Sequence, residues 1–353
     1  MPTLSTPLLK SDYHYDLPDE LIAVEPAQKR EWSRMMVLNR SDRGLSHRFF
    51  YQFPDLLEPG SILVLNNSRV LPARLPGKRE TGAALDLLLV TDLGENRWQC
   101  KIKNLGRMKT GERFSLCDRQ LRATLLEKDA DGFCIVQFQV DKDFLSLLEQ
   151  VGYAPLPPYI QKMRRAEWDR SLDLRRYQTV YAEHYGSIAA PTAGFHFTPE
   201  ILKSLEQLDI TIVYITLHVG VGTFEPIREE DVSRHDMHEE HFEISEKTAG
   251  IIEEGKAKRK KIVAVGTTTT RALESAWQEN ALKTGPQSTR LFIYPPYRYR
   301  VIDQLLTNFH LPESTLLMLV AAFCDRDFLL DAYSEAVSQR YRFFSYGDCM
   351  FIR

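Results

Sequence analysis

Two secondary-structure textures divide this chain, and no single layer of packed elements accommodates both. Between residues 73 and 141, short β-like runs (LDLLLV, WQCKIK, ERFSLC, LRATLLEK, FCIVQFQV) are separated by turn residues at Gly82, Leu93-Gly94, Gly106, Thr110-Gly111 and Asp131-Gly132. Short strands at that spacing predict an antiparallel barrel or sandwich. From residue 150 strands alternate with helices instead. Thr198 caps a helix over 199–208 that has Pro199 at its first position, and β-branched residues make 210–217 a strand. Ser245 opens a helix that runs to 260, followed by a buried-type strand at 261–265 and a helix at 270–279. A strand at 290–294, helices at 314–323 and 327–341, and a last strand at 350–352 complete the series. Ahead of the β-rich stretch we read a short helix within 12–30 and strands at 35–38 and 61–65. Alternation of this kind predicts a mostly parallel sheet covered by helices. The expectation is an α/β fold in which residues 1–72 and 145–353 form one domain and residues 73–144 a small inserted antiparallel β-barrel.

Composition narrows the class. Of 353 residues, 43% are hydrophobic and 26% charged, which is globular usage. The longest apolar run, 316–324, is nine residues, far short of the roughly 20 that span a bilayer. The first 20 residues lack a basic stretch followed by an apolar one, so no secretory signal is expected. Cys100, Cys117, Cys134, Cys324 and Cys349 form no CxxC pair. They read as reduced thiols of a cytoplasmic protein. A net charge of −3 excludes a general nucleic-acid coating protein, so any contact with nucleic acid has to come from a local basic patch. No long heptad pattern appears, and a monomer is expected.

Ligands of α/β sheets gather beyond the carboxyl ends of strands, and several unusual segments fall near such positions. Val265-Gly266-Thr267-Thr268-Thr269-Thr270-Arg271 joins a strand to a helix. Its N–H groups and hydroxyls can cradle an anion, although it is no Walker A loop; a plain Thr-rich cap is the alternative. In Leu217-His218-Val219-Gly220-Val221-Gly222-Thr223-Phe224-Glu225 the glycines allow close backbone approach, or simply turn a strand end. Small residues surround His196 in Ala189-Ala190-Pro191-Thr192-Ala193-Gly194-Phe195-His196-Phe197-Thr198, where it is a base, a base-stacking platform or a hydrogen-bonded core histidine. The run His235-Asp236-Met237-His238-Glu239-Glu240-His241 invites a metal, but its spacing is not HExxH. On a helix His235 and His238 share a face; on a strand His238 opposes the other two. The competing reading is a polar segment that contacts a hydroxyl-rich substrate. Asn308, His310, Tyr346 and Asp348 lie in aromatic-polar mixtures of the sort that hold a nucleobase, or that simply pack.

Basic residues cluster locally despite the acidic total. Lys162, Arg164, Arg165, Arg170, Arg175 and Arg176 fall within 15 residues, with Trp168 and Tyr177 among them. That mixture fits a single-stranded RNA loop, and charge reversal at Arg175 and Arg176 should then flatten the salt dependence of RNA binding. The run 256–261 reads as a solvated helix face, and Arg298 and Arg300 alternate with Tyr297 and Tyr299.

Taken together, YDLPDELIAVEP (15–26), LVLNNSRVLPARLPG (63–77), YQTVYAEHYGSIAAPTAGFHFT (177–198), LHVGVGTFEPI (217–227), HDMHEEHFEI (235–244), VGTTTTRALESA (265–276), LLTNFHLPESTLLMLVAAF (305–323) and YRFFSYGDCM (341–350) resemble the S-adenosylmethionine:tRNA ribosyltransferase-isomerase family of the queuosine pathway. Phe195, Val221, Asp86 and Cys349 depart conservatively from that family's usual text. The resemblance implies an α/β domain interrupted by a β-barrel, acting on tRNA whose wobble base is 7-aminomethyl-7-deazaguanine. It implies transfer and isomerisation of the ribosyl part of S-adenosylmethionine onto that base in the anticodon stem-loop. Epoxyqueuosine-tRNA, adenine and methionine are the implied products. S-adenosylmethionine is then a co-substrate, with no cofactor, no metal and no membrane involved.

Such chemistry needs groups titrating near neutrality. His196, His218 and His310 are the candidates, with Glu225 and Asp348 as carboxylate partners. Replacing His196 or His218 by Ala should lower turnover by at least ~100-fold. For substrate binding we select Asn67, Arg69, Arg74, Thr192, Gly194, Phe195, Gly220, Gly222, Thr223, Gly266, Thr267, Thr268, Arg271, Asn308 and Tyr346, with Arg271 as a bidentate partner for the methionine carboxylate. The tRNA-binding candidates are Lys162, Arg164, Arg165, Arg170, Arg175 and Arg176. Two rival classes stay open on the residues alone: a non-catalytic RNA-binding module and a metal hydrolase centred on the 235–241 cluster.

Overall fold

A computed structural model describes residues 8–130, 132–140, 143–164, 169–220, 222, 227 and 229–353. The chain divides into two compact units, Met1–Ser68 with Gln178–His184 and Pro191–Arg353, and Arg69–Tyr177 with Tyr185–Ala190. The first unit opens with β1 (Arg34–Asn39), β2 (Gly44–Phe49) and β3 (Ile62–Asn66). The second holds β4 (Arg74–Arg79), β5 (Ala84–Asp92), β6 (Arg97–Ile102), β7 (Arg113–Leu116), β8 (Leu121–Lys128) and β9 (Phe133–Gln139). Its helices are α1 (Phe144–Val151), α2 (Pro158–Met163) and α3 (Arg170–Arg176). The first unit resumes with α4 (Pro199–Gln207), β10 (Thr211–His218), β11 (Glu240–Ile244), α5 (Glu246–Ala257) and β12 (Ile262–Val265). It ends with α6 (Thr267–Ala276), β13 (Gly285–Thr289), β14 (Gln304–Asn308), α7 (Thr315–Cys324), α8 (Arg326–Ser338) and β15 (Cys349–Ile352).

Nine strands of the first unit form one sheet in the order β13-β11-β10-β3-β12-β14-β15-β1-β2. The centre, β10-β3-β12-β14, is parallel. Every residue of β3 and β12 is buried, as expected of strands covered on both faces. On one flank β11 and β13 pair antiparallel. On the other, β15 returns antiparallel to β14, β1 runs parallel to β15, and β2 closes the edge antiparallel. The α/β reading holds, but parallel pairing is concentrated at the centre and the sheet as a whole is mixed. Beneath it, Phe50, Phe53, Phe197, Ile201 and Leu205 pack on Leu63, Val263 and Phe351.

Three local expectations change. Residues 12–30 contain no α-helix. They form 3-10 turns at Lys10–Tyr13, Asp19–Leu21 and Arg30–Trp32, because Pro18 and Pro26 interrupt any longer hydrogen-bond ladder. The strand expected at 290–294 lies just upstream as β13, where Gly285 to Thr289 pair with Ile244 to Glu240. The apolar residues after it pack without a ladder, Phe292 against Tyr294 at 4.8 Å. Tyr299 and Arg300 are also structural, since the Tyr299 hydroxyl donates to the Leu319 carbonyl and Arg300 to that of Glu274.

In the second unit six strands close a barrel in the order β9-β6-β5-β4-β7-β8. Five were legible in the sequence. The sixth, β4, is written RLPGKR, and Pro and Gly are depleted in strands. Gly77 is there because an added Cβ would lie 2.2 Å from the Ser115 carbonyl oxygen of β7. Alternate residues such as Leu75, Leu87, Leu89, Leu125 and Val136 fill the interior. Phe144, Leu148 and Val151 of α1 join that same core, with the Phe144 ring 4.8 Å from Phe138. This packing carries the second unit past residue 144, the boundary expected from the change of texture, as far as Tyr177.

Candidate active site

The four parallel strands β10, β3, β12 and β14 end on the same edge. There they deliver His218, Asn66, the Gly266 turn and Asn308. Neighbouring strands lie roughly 4.8 Å apart, so these groups form one row. Asn66 ties two of the ends together. Its Nδ2 donates to the Leu217 carbonyl and its Oδ1 accepts from the Leu217 N–H, both at 3.0 Å. Asn67 accepts from the Thr216 hydroxyl at 2.7 Å and donates to Glu183 at 3.1 Å.

At the third strand end Gly266 has φ +88, a left-handed value that suits glycine. It sits at the cap position of α6, which therefore has no side-chain cap. The other helices of this unit are capped by Thr198, Ser245, Ser314 and Asp325. Thr269 and Thr270 hydroxyls donate back to the Val265 and Gly266 carbonyls. Thr267 and Thr268 make no side-chain hydrogen bond among the described residues. Uncapped first-turn N–H groups beside two hydroxyls are the arrangement that can hold an anion, a candidate cradle. Arg271 is held largely by the fold, with only Nη2 left without a partner among the described residues. Its Nε donates to the Leu291 carbonyl at 3.0 Å, and its guanidinium forms a buried ion pair with Glu240.

The three candidate histidines occupy different environments. His196 ends a 3-10 turn, Thr192–His196, and is buried. The Thr192 hydroxyl donates to Asn308 Oδ1 at 3.0 Å. This turns the amide nitrogen toward His196 Nε2 at 3.4 Å and assigns the ring proton to Nδ1. Burial, followed by the positive charges of Arg30 and Arg342, lowers the His196 pKa to about 3. His310 is lowered to about 3 by burial. Its Nε2 meets the Thr307 hydroxyl at 2.9 Å, and its N–H donates to the Tyr333 hydroxyl. His218 is only partly buried and faces His241 across the β10–β11 pair. Together with Thr216, His241, Glu243, Gln287 and Ser288 it lines a cavity of about 470 Å³. Its Nδ1 has no hydrogen-bond partner among the described residues. Burial, then His184 and His241, hold its pKa below the usual histidine value. The ring lines the cavity while its unpartnered Nδ1 is itself buried; a neutral imidazole nitrogen without a partner can accept a proton from a group brought against it.

Other predicted site residues have structural work. Both carboxylate oxygens of Asp348 accept backbone N–H groups, from Arg34 and Arg342, at 2.8 Å each, and burial raises its pKa. It clamps chain segments rather than pairing with a histidine. Phe195 packs on Tyr346 at 5.8 Å. A Cβ on Gly194 would lie 2.1 Å from the Tyr181 hydroxyl. Ala193 Cβ is 3.6 Å from where a Gly266 Cβ would be, so the His196 turn abuts the anion cradle. Arg69 lies over the Tyr185 ring at 4.6 Å. Arg74 grips Asp86 through two hydrogen bonds of 2.8 and 2.6 Å. Gly220 lies two residues beyond the end of β10. Glu225, Thr223 and Arg165 lie outside the described residues, as does Trp168.

The 235–241 histidines diverge. His235 packs edge-on to Phe292 at 5.3 Å, the His238 ring lies against Gly222, and His241 faces His218. Among the described residues no three His, Cys, Asp or Glu converge as a metal site. Of the tRNA-binding candidates, Arg164 is spent on a buried ion pair with Asp173 at 2.6 Å. Arg170 donates to the Gly152 and Glu149 carbonyls at the end of α1. Lys162 and Arg175 are exposed and Arg176 half-buried. Sequence reading missed Glu183, His184 and Glu243, which surround His218 and Asn67. The only available signal was the alternation His241, Glu243 on β11, legible once its strand partner is known.

A family model described as "Queuosine biosynthesis protein" matches residues 10–352. A Sulfurihydrogenibium protein named S-adenosylmethionine:tRNA ribosyltransferase-isomerase is 48% identical over 97% of this chain and 99% of its own length. Proteins of the same name from Thermotoga maritima and Clostridioides difficile are each 45% identical over 97% of the chain. A crystal structure of S-adenosylmethionine tRNA ribosyltransferase from Thermotoga maritima is similar with a TM-score of 0.56 and 37% identity, covering 97% of this chain and all of that one.

Proposed function

Because this chain belongs to the queuosine biosynthesis protein family, we propose that it is an S-adenosylmethionine:tRNA ribosyltransferase-isomerase. It transfers and isomerises the ribosyl group of S-adenosylmethionine onto 7-aminomethyl-7-deazaguanine at the wobble position of tRNA. Epoxyqueuosine-tRNA forms, and adenine and methionine leave. The observation that supports this reading is the shared edge of β10, β3, β12 and β14, which brings His218, Asn66, the Gly266 turn and Asn308 to neighbouring strand ends.

Each side chain then has a task. The sulfonium of S-adenosylmethionine acidifies the adjacent C5′–H, and His218 accepts that proton because it is neutral, lines the cavity and has an Nδ1 without a partner among the described residues. The first turn of α6, with Thr267 and Thr268, holds the methionine carboxylate. The turn from Thr192 to His196 with Asn308 forms the wall beside it. The enzyme works as a monomer in the cytoplasm on the anticodon stem-loop. Among the described residues no helix is long and apolar enough to cross a membrane.

The test is incubation with S-adenosylmethionine and an anticodon stem-loop carrying the modified base. Free adenine and methionine should appear in step with a mass gain on the RNA. His218→Ala should lower kcat about 100-fold with the melting temperature unchanged, and the wild-type rate should fall only at a pH below the usual histidine range, where His218, its pKa lowered by burial, becomes protonated. RNA binding without consumption of S-adenosylmethionine would replace this reading with that of a non-catalytic module.

A further inference from the structure

We propose that an outward-facing groove on the barrel seats the phosphodiester backbone of the RNA, a surface distinct from the 162–176 cluster. The proposal rests on the tRNA reading above. The groove encloses about 830 Å³ and is lined by β4, β7 and β8 with the β7–β8 turn and Tyr153. Strand register sets its charges in order. Lys78 pairs with Ser115, and Ser115 with Arg122, so Lys78 and Arg122 stand two interstrand spacings apart, roughly 10 Å. Arg113, two residues from Ser115, points to the same side. Arg119 closes one end from a turn whose residues Cys117, Asp118 and Arg119 all have left-handed φ, of 48, 52 and 69. Non-glycine residues adopt that conformation at a cost.

Folding of the barrel does not account for these cations. Where the barrel needs an arginine it pairs it: Arg79 with Glu112, Arg74 with Asp86. Lys78, Arg113, Arg119 and Arg122 are exposed, and their side chains make no ion pair or hydrogen bond among the described residues. Glu80 and Asp118 are the acidic residues in the lining. The imbalance extends to the whole second unit, which carries 20 Lys and Arg against 15 Asp and Glu, whereas the chain has 45 against 48. Cations spread along about 10 Å, rather than converged on one point, match successive phosphates better than one small anion. Three of the four are guanidiniums, the group that grips phosphate oxygens in pairs.

The test compares K78Q/R113Q/R122Q with K103Q/R107Q/K109Q, an equal charge loss at exposed barrel residues outside the groove. Binding of unmodified tRNA is measured from 0.05 to 0.3 M salt, with adenine release at saturating tRNA in parallel. The groove variant should bind tRNA about 30- to 100-fold more weakly at 0.15 M salt, with a log–log salt slope shallower by about 2. Its kcat should stay within twofold while KM for tRNA rises, and the control should change less than threefold. If the triple variant melts early, K78Q and R122Q singly should each show about a fourfold loss. An unchanged slope, an equal loss in the control, or displacement of the RNA by polyglutamate at equal charge concentration overturns the proposal. Failure of the wild-type protein to bind tRNA or release adenine would instead sink the reading it rests on.

Discussion

At the scale of single residues, the three histidines show that residue type does not set chemistry; surroundings do. His196 and His310 are held neutral by burial down to about pH 3, so they are poor proton acceptors near neutrality, whereas His218 keeps one face to a cavity. Linkage makes this measurable. In the unfolded chain both buried histidines protonate near pH 6.5. In the folded chain they do not until about pH 3. Their neutral burial therefore costs nothing above pH 6.5 and destabilises progressively below it, by about 1.4 kcal/mol per pH unit for each histidine. Asp348, raised by burial, opposes this at the acid end. Urea unfolding midpoints should fall steeply between pH 6.5 and 4, and His310→Gln should lose part of that slope. A flat profile would mean that the two rings protonate in place.

At the scale of elements, the start of α6 is the informative one. Sequence reading located the Gly266 to Arg271 segment as a cradle, and its strand, glycine and helix are all present. It placed the helix start three residues late, because β-branched threonines have weak helix propensity while tertiary packing buries Thr267, Thr269 and Thr270. It also assigned Arg271 to the ligand, since Glu240, its partner, lies 31 residues away and no local pattern announces the pair. Gly266→Ala should cost about 1–2 kcal/mol in chemical unfolding, because φ +88 is strained for any side chain. The nearest neighbour at 3.6 Å leaves room for the methyl, so the loss is torsional. Thr268→Val should leave stability unchanged and raise KM for S-adenosylmethionine; a wild-type KM would remove Thr268 from the cradle.

At the scale of the whole molecule, the five cysteines are all buried and free, and burial raises each thiol whose titration shifts, Cys117, Cys134 and Cys324 to about 12. The native protein should therefore react with no more than traces of a thiol reagent at pH 8, and the urea-unfolded protein with five equivalents. Rapid reaction of even one native thiol would contradict this burial.

What the sequence determined by itself was whatever is written locally. The period of the hydrophobic pattern separated barrel from α/β sheet, turn residues separated five of the six barrel strands, and a Gly followed by threonines at a strand end marked the cradle. Only the tertiary structure decided which strands run antiparallel on the flanks of the sheet, that RLPGKR closes the barrel, and that Arg271, Arg164 and Asp348 have partners within the fold while His218 lines a cavity. The physical reason is separation along the chain. Asn308 meets His196 across 112 positions, and Asp348 meets Arg34 across 314. A side chain's partner, and hence its pKa and availability, is a property of the packed chain rather than of its neighbours in sequence.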